Sequence, residues 1–236
     1  MEIRILFDSK KEDTGYFAGW GVSYLIDHHI LFDAGENEHM LLHNMWSMNV
    51  KPDNIDKIVI SHEHWDHIGG LWRLLAYNPR MAVYVCPGVS REFKDKIASF
   101  GSRAIEVEPF MEIEKGIYTS GESKAACRYG LIPEQALVLR SEKGTTVITG
   151  CAHNGITDIL MSVQESVGDP IHLVIGGFHT LDLSLSVVKS VIKRFQEMGV
   201  ARVAPTHCTG NEAIRLFKDA YGAGFVEAVV GKTLHV

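Results

Sequence analysis

A six-residue block, His-Glu-His-Trp-Asp-His, runs from His62 to His67, and only Ser61 separates it from a short, mostly apolar segment at residues 57–60. His62 and His64 are two residues apart, so on an extended segment both imidazoles project to the same side. Paired imidazoles are typical ligands of a zinc-type cation. Asp66 and His67 follow where the chain turns toward two glycines, and they can reach a second position nearby. The block therefore predicts a site for one or two divalent metal ions.

Three histidines elsewhere in the chain share the context of this block. His153, His179 and His207 each follow a short apolar segment and lie next to glycine or other small residues. Strand ends at one edge of a sheet are where α/β proteins collect their functional groups. Because a tetrahedral metal site needs more ligands than one pair of histidines supplies, we expect these distant histidines to contribute to the site.

The rest of the chain alternates short apolar strands with helices, which predicts sheets covered by helices. The predicted strands cover residues 2–7, 22–26, 30–33, 57–60, 82–86, 136–140, 145–149, 171–175 and 202–205. The predicted helices cover residues 38–48, a segment after Gly69-Gly70, and residues 90–99, 156–167, 187–198 and 211–220. We expect a single α/β domain over residues 1–236, because this length is common for one such unit.

Composition excludes several classes of protein. Apolar residues make up 46% and charged residues 22%, as in an ordinary globular domain. The longest apolar run, at residues 81–86, is far shorter than the roughly 20 residues of a membrane span. Four cysteines do not indicate a disulfide framework, and the first ten residues lack a secretory leader, so we expect a cytoplasmic protein. The net charge of −6 does not favour nucleic-acid binding.

The block and its surroundings resemble the signature of the metallo-β-lactamase superfamily. A narrower resemblance is to the subgroup named for 7,8-dihydropterin-6-methyl-4-(β-D-ribofuranosyl)aminobenzene-5′-phosphate synthases. The matching segments are Leu31-Phe-Asp-Ala-Gly35, Pro133-Glu-Gln-Ala-Leu137, Gly150-Cys-Ala-His-Asn-Gly155, Gly176-Gly-Phe-His179 and Pro205-Thr-His-Cys-Thr-Gly210. The resemblance implies a four-layer αββα sandwich with metals at one edge. It also implies that Asp33 supports the metal-binding loop without binding the metal itself.

One segment departs from the superfamily pattern. Where the superfamily usually has Thr-Gly-Asp, with an aspartate that bridges two metals, this chain has Thr-Gly-Cys ending at Cys151. Cys151 is either a thiolate ligand or a small buried residue beside the site, and the second interpretation is favoured because free cysteines are usually buried. Cys208 raises the same question, but consecutive strand residues face apart, so it is expected to point away from His207.

The working hypothesis is a metal-dependent enzyme. His62, His64 and His153 hold a first ion, while Asp66, His67 and His207 hold a second. The expected ion is Zn²⁺, one or two per chain, with Mn²⁺ or Fe²⁺ as alternatives. Asp66 orients a metal-activated hydroxide, and His179 protonates a leaving group or contacts a phosphate.

Three functions remain open. The first is a hydrolase of a small phosphate-bearing or other ester, which is the commonest superfamily activity. The second, implied by the subgroup name, is a transferase that joins a dihydropterin diphosphate to a ribofuranosylaminobenzene phosphate. The third is a non-catalytic or redox-sensing metal protein, suggested by Cys151 and Cys208. A small anionic substrate is expected. The charges of Lys10, Lys11 and Arg128 would suit such a substrate, although the more common role of charges like these is solvation at the surface.

Trp65 is a candidate for the wall of the substrate pocket. No membrane or nucleic-acid partner is expected, and the sequence does not indicate an oligomeric state.

Overall fold

The computed structural model describes residues 1–123, 126–127 and 130–236. The chain divides into two compact units. Unit 1 comprises residues 1–108 and 229–235, and unit 2 comprises residues 109–228 and 236. Within the described residues, no helix is both long enough and apolar enough to cross a membrane. The expectation of a single domain stays a prediction.

Unit 1 is built on a seven-stranded mixed sheet. Its strands are β1 (Glu2–Phe7), β2 (Ser23–Ile26), β3 (Ile30–Phe32), β4 (Lys57–Val59), β5 (Ala82–Val85), β6 (Arg103–Glu106) and the strand Thr233–His235, which pairs with β1. Its helices are α1 (Glu38–Ser47), α2 (Trp65–Ile68), α3 (Leu71–Tyr77) and α4 (Arg91–Ser99). Strands β3 to β6 are parallel, and Phe32 pairs with Val59. The segments that follow β3 and β4 therefore leave the sheet side by side.

One apolar cluster fixes the helices of unit 1 on its sheet. Leu41 and Met45 of α1 and Leu75 of α3 pack with the sheet residues Leu31 and Ile58, and all five are buried. Burying a side chain of this size contributes about 1.5–3 kcal/mol. The helices begin where the sequence supplies caps. The Asn37 side chain accepts two backbone N–H bonds at the start of α1, and Ser90 caps α4.

Unit 2 is built on a six-stranded mixed sheet with a separate two-stranded ribbon. The sheet strands are β7 (Glu112–Glu114), β8 (Ile117–Thr119), β11 (Leu137–Ser141), β12 (Gly144–Thr149), β13 (Ile171–Gly177) and β14 (Arg202–Thr206), and the ribbon strands are β9 (Ala126–Cys127) and β10 (Gly130–Leu131). The helices are α5 (Ile156–Val167), α6 (Leu185–Glu197) and α7 (Asn211–Tyr221). Strands β12, β13 and β14 are parallel neighbours. Their carboxyl ends lie at one edge, and the segments containing Cys151, His179 and His207 all start there.

An aromatic cluster centres the core of unit 2. The rings of Phe178, Phe195 and Phe217 lie 5.3–5.5 Å apart, centroid to centroid. Phe195 belongs to α6 and Phe217 to α7, so the cluster ties both helices to the segment that follows β13. Offset and edge-to-face pairs of this kind add about 0.5–1.5 kcal/mol each beyond their burial.

The predicted elements are present, with boundaries shifted by one or two residues. The predictions missed β6 to β10, the strand Thr233–His235 and the short helix α2 inside the histidine block. These missed strands have two to four residues each, too few to show a periodic pattern. Helix α7 begins at Asn211, as predicted, and Gly210 occupies the cap position with φ 82°.

Candidate metal centre

The predicted ligands fall into two sets, one in each unit. In unit 1 the block places His62, His64, Asp66 and His67 together. His62 Nε2 lies 3.1 Å from His64 Nδ1, and the rings of His62 and His67 are 4.2 Å apart. His67 Nε2 lies 3.5 Å from Asp66 Oδ2. Two nitrogen ligands of one tetrahedral zinc ion are separated by about 3.3 Å, so the His62–His64 spacing fits a shared cation.

The buried carboxylate of Asp33 supports this set through hydrogen bonds to Ser61 and His67. Asp33 is fully buried just after β3, and it accepts three hydrogen bonds of 2.7 Å, from the Ser61 backbone N–H, the Ser61 hydroxyl and His67 Nδ1. Since the Ser61 hydrogen points to Asp33, Ser61 Oγ accepts from His62 Nδ1 at 2.9 Å. This one carboxylate therefore orients His67 directly and His62 through Ser61, and the Nε2 atoms of the two rings lie toward Asp66 and His64 of the block.

The charge of Asp33 also alters proton binding at His67. Burial raises the pKa of the Asp33 carboxyl, although His67 and Ser61 act in the opposite direction. Burial lowers the pKa of His67, but the charge of Asp33 and its hydrogen bond outweigh this and raise the pKa to about 10. In the metal-free protein the pair thus retains a proton to high pH, and a cation that binds His67 Nε2 must displace it.

Glycines allow the close approach of the loops behind the block. Gly69 N–H donates to the Gly35 carbonyl at 2.8 Å, and Gly70 N–H donates to the Ala34 carbonyl at 3.1 Å. A Cβ at Gly69 would overlap the backbone carbonyl of Glu36. These bonds tie the end of α2 to the Asp33 segment, which keeps the carboxylate and the block in register.

In unit 2 the structure brings together Cys151, His153, His179 and His207. Cys151 Sγ lies 3.3 Å from His207 Nε2, and the rings of His153 and His179 are 4.4 Å apart. One donor atom each of Cys151, His153 and His179 lies within 4.8 Å of the other two. Neutral imidazole and thiolate are ligands that zinc-type cations prefer.

Glu134 is the residue of this set that sequence reasoning missed as a functional group. It is 1% exposed, and its Oε1 accepts from the Ala152 N–H at 2.9 Å and lies 3.3 Å from His153 Nδ1. A carboxylate at Nδ1 orients the ring and supports metal binding through Nε2. The available signal was the segment Pro133–Leu137, which the family resemblance already included.

Cys208 corrects one expectation. Strand alternation was expected to turn it away from His207, but residues His207–Thr209 form a 3₁₀ turn rather than a strand, so the rule does not apply. Cys208 Sγ donates to the Cys151 carbonyl at 3.5 Å. Burial raises the pKa of the Cys208 thiol, but the Cys151 and His179 side chains and the charge of His207 outweigh it, and the net pKa lies well below its ordinary value.

The residues predicted to contact the substrate differ in how far they are exposed. Lys11 Nζ donates to the Tyr16 carbonyl at the surface, and Lys10 is only partly exposed. Arg128 lies outside the described residues. Trp65, the first residue of α2, is 61% exposed, so most of its ring faces solvent.

Imidazoles thus stand with carboxylates in unit 1 and with a thiol in unit 2, at the ends of parallel strands. Donor atoms of these kinds make both sets candidate metal-binding clusters in an α/β fold. The family model of the metallo-beta-lactamase superfamily matches residues 19–207, and the chain belongs to that superfamily. This membership also confirms the expected sandwich fold class.

The chain is similar, over nearly its full length, to two proteins of known sequence and to one of known structure. The chain is 26% identical to the 7,8-dihydropterin-6-methyl-4-(beta-D-ribofuranosyl)-aminobenzene-5′-phosphate synthase of Methanocaldococcus jannaschii, over 94% of this chain and 92% of that protein. It is 29% identical to an uncharacterized protein of the same organism, over 99% of this chain and all of the other. The crystal structure of Tm1679, a metal-dependent hydrolase of the beta-lactamase superfamily, superimposes with a TM-score of 0.87 at 28% identity, covering 100% of this chain and 99% of that one.

Proposed function

We propose that the protein is a metal-dependent hydrolase of a small phosphate-bearing or other ester. In this proposal His62, His64 and His153 share one cation, and Asp66, His67 and His207 share another. The observation that carries it is the buried carboxylate behind a histidine in each donor set, Asp33 with His67 and Glu134 with His153. Histidines that bind metals usually have a carboxylate or carbonyl at the other ring nitrogen, and this contact orients the ring toward the ion.

The chain's own groups have separate tasks in hydrolysis. A bound Zn²⁺ would lower the pKa of water to about 7 and so provide a nucleophile at neutral pH. Asp66 is 5% exposed, and its carboxylate accepts a hydrogen bond from the nucleophile and orients it. His179 donates a proton to the leaving oxygen. Its backbone has φ 51°, and its ring lies 4.4 Å from the ring of His153.

A cleft in unit 2 supports a small substrate. It has a volume of about 310 Å³, at the lower end of the range for small-molecule sites. Leu181, Leu183 and Leu185 form apolar walls, and Thr180 and Thr209 are polar lining residues. Thr180 directly follows His179, so the cleft adjoins the segment that supplies the proton. A phosphate or other anionic group suits this proposal, because dications bind anionic oxygens.

Turnover of bis-p-nitrophenyl phosphate by Zn²⁺-loaded protein tests the hydrolase. We expect Asp66→Asn to reduce turnover by at least about 100-fold. Asp56→Asn is the matched control, because Asp56 is an exposed aspartate of unit 1 with a surface contact to Lys57, and it should keep full turnover. His179→Gln should slow esters with poor leaving groups more than p-nitrophenyl esters. Equal turnover by wild type and Asp66→Asn would reject the proposal.

The second candidate is a transferase that joins a dihydropterin diphosphate to a ribofuranosylaminobenzene phosphate. The similarity to the synthase across 94% of this chain favours it. Here the bound metal ions would hold the diphosphate leaving group, and water would have to be excluded. Diphosphate release only when both substrates are present would support the transferase over the hydrolase.

A non-catalytic, redox-sensing metal protein is the remaining candidate. It depends on Cys151 and Cys208, whose buried thiols lie beside the histidines of unit 2. Absence of turnover on either substrate class, together with metal release that follows thiol oxidation and reverses on reduction, would support it.

A further inference from the structure

Cys151 lies at the centre of the donors of unit 2. It is 4% exposed and directly follows the turn after β12. On one side its Sγ is 3.3 Å from His207 Nε2. It also belongs to the group in which one donor atom each of Cys151, His153 and His179 lies within 4.8 Å of the others. A single sulfur therefore connects His207 with the His153–His179 pair.

These spacings suit coordination by sulfur. With zinc–sulfur and zinc–nitrogen bonds of about 2.3 and 2.1 Å, a tetrahedral ion separates the two ligand atoms by about 3.6 Å. The observed 3.3 Å to His207 needs only a small outward shift to reach this value. We propose that Cys151 binds the metal centre as a thiolate, from the position that joins His207 to His153 and His179. This inference rests on the proposed metal centre.

Metal binding by Cys151 requires that the thiol lose its proton. The Cys151 S–H bond breaks, its proton passes to solvent, and the sulfur lone pair forms the bond to the cation; no electron is transferred. A thiolate is a soft ligand, whereas a carboxylate is hard. The centre should therefore favour Zn²⁺, Cd²⁺ or Co²⁺ over Mn²⁺ or Mg²⁺.

Cys208 provides a matched control because its sulfur is placed differently. Its Sγ donates to the Cys151 carbonyl at 3.5 Å and packs against the backbone of Gly177, where an added Cβ would come within 2.6 Å of it. Cys208 also contacts the side chains of Cys151 and His179, whereas Cys151 Sγ is the sulfur that lies 3.3 Å from His207 Nε2. Both thiols are buried in unit 2, so serine at either position removes a buried sulfur, and the two variants show which sulfur binds the metal.

Cobalt substitution identifies the ligating sulfur. Protein purified under reductant and loaded with Co²⁺ should show a near-ultraviolet thiolate-to-cobalt charge-transfer band. We expect Cys151→Ser to lose this band and Cys208→Ser to keep it. A wild-type spectrum without the band, or a band lost only in Cys208→Ser, would overturn the assignment.

Two further measurements do not depend on the serine variant folding. X-ray absorption of Zn²⁺-loaded wild type should show a sulfur atom at about 2.3 Å beside nitrogen or oxygen ligands. Cys151→Asp should reduce the preference for Cd²⁺ over Mn²⁺ by at least tenfold. If wild type binds no metal, the proposed function itself fails. If it binds stoichiometric Zn²⁺ with nitrogen and oxygen ligands alone, only the role of Cys151 is rejected.

Discussion

Replacing Asp33 by asparagine should change the proton positions of two proposed metal ligands at once. The amide oxygen can still accept from the Ser61 backbone N–H, but the amide nitrogen then faces Ser61 Oγ and His67 Nδ1, where Asp33 Oδ2 now accepts two hydrogen bonds. His67 Nδ1 must become an acceptor, which puts the proton on Nε2. Ser61 must turn its hydrogen toward His62 Nδ1, with the same result there. The opposite amide orientation would set two N–H groups against each other.

The magnitude follows from the number of altered ligands. Loss of one supporting partner costs about 10–100-fold in metal affinity, or about 1.4–2.8 kcal/mol, and Asp33→Asn disturbs two ligands. We therefore expect Zn²⁺ binding, measured by chelator competition, to weaken by at least 100-fold. Ser61→Ala disturbs only the path to His62 and should weaken binding less. The metal-free protein should lose about 1–3 kcal/mol in urea unfolding.

The matched control is Asp27→Asn. Asp27 also lies in unit 1, also has a positive φ (43°), and its carboxylate accepts the Glu2 N–H at 2.7 Å. Asparagine tolerates this backbone conformation, so neither variant adds strain. The control should bind Zn²⁺ as wild type does. If Asp33→Asn also binds Zn²⁺ with wild-type affinity, the carboxylate does not set the histidine tautomers.

Four other outcomes are expected. Glu134→Ala should weaken Zn²⁺ binding about 10–100-fold in the same competition assay, because it removes the oxygen that accepts from His153 Nδ1 and orients that ring. Gly177→Ala should lower the unfolding free energy in urea by about 1–3 kcal/mol, because a Cβ there overlaps the Gly150 carbonyl. Trp65→Ala should leave the melting temperature almost unchanged, since the ring is 61% exposed, but should raise KM about fivefold if the ring stacks on substrate. Loss of the proton on His67 should by itself raise Zn²⁺ affinity by up to tenfold per pH unit at pH values below about 10. The stability that this proton gives the metal-free protein, seen by urea unfolding, is complete below about pH 6.5 and disappears as pH approaches about 10.

The sequence predicted what local patterns can show. Apolar runs predicted the strands that carry the donors, and the spacing of the block predicted that His62 and His64 lie together, which the 3.1 Å nitrogen separation bears out. The supporting contacts were harder to find. Asp33 meets Ser61 across 28 residues and Glu134 meets His153 across 19. Such contacts depend on strand pairing and register, which no periodicity in the chain records.

Left-handed backbone at the strand ends explains why strand alternation failed near the candidate site. Asp33, Ala152, His179 and His207 have φ between 50° and 61°, and each lies just after a strand that supplies the site. This conformation costs a non-glycine residue roughly 1–2 kcal/mol, a large share of the 5–15 kcal/mol that stabilises a typical domain. Such strain persists only where surrounding contacts hold it, as Glu134 holds the Ala152 N–H. Glycine would remove the cost at Ala152, yet at the other three positions it would remove the functional side chain itself. The strain at those three positions is therefore best understood as the cost of turning a carboxylate and two imidazoles out of the strand direction.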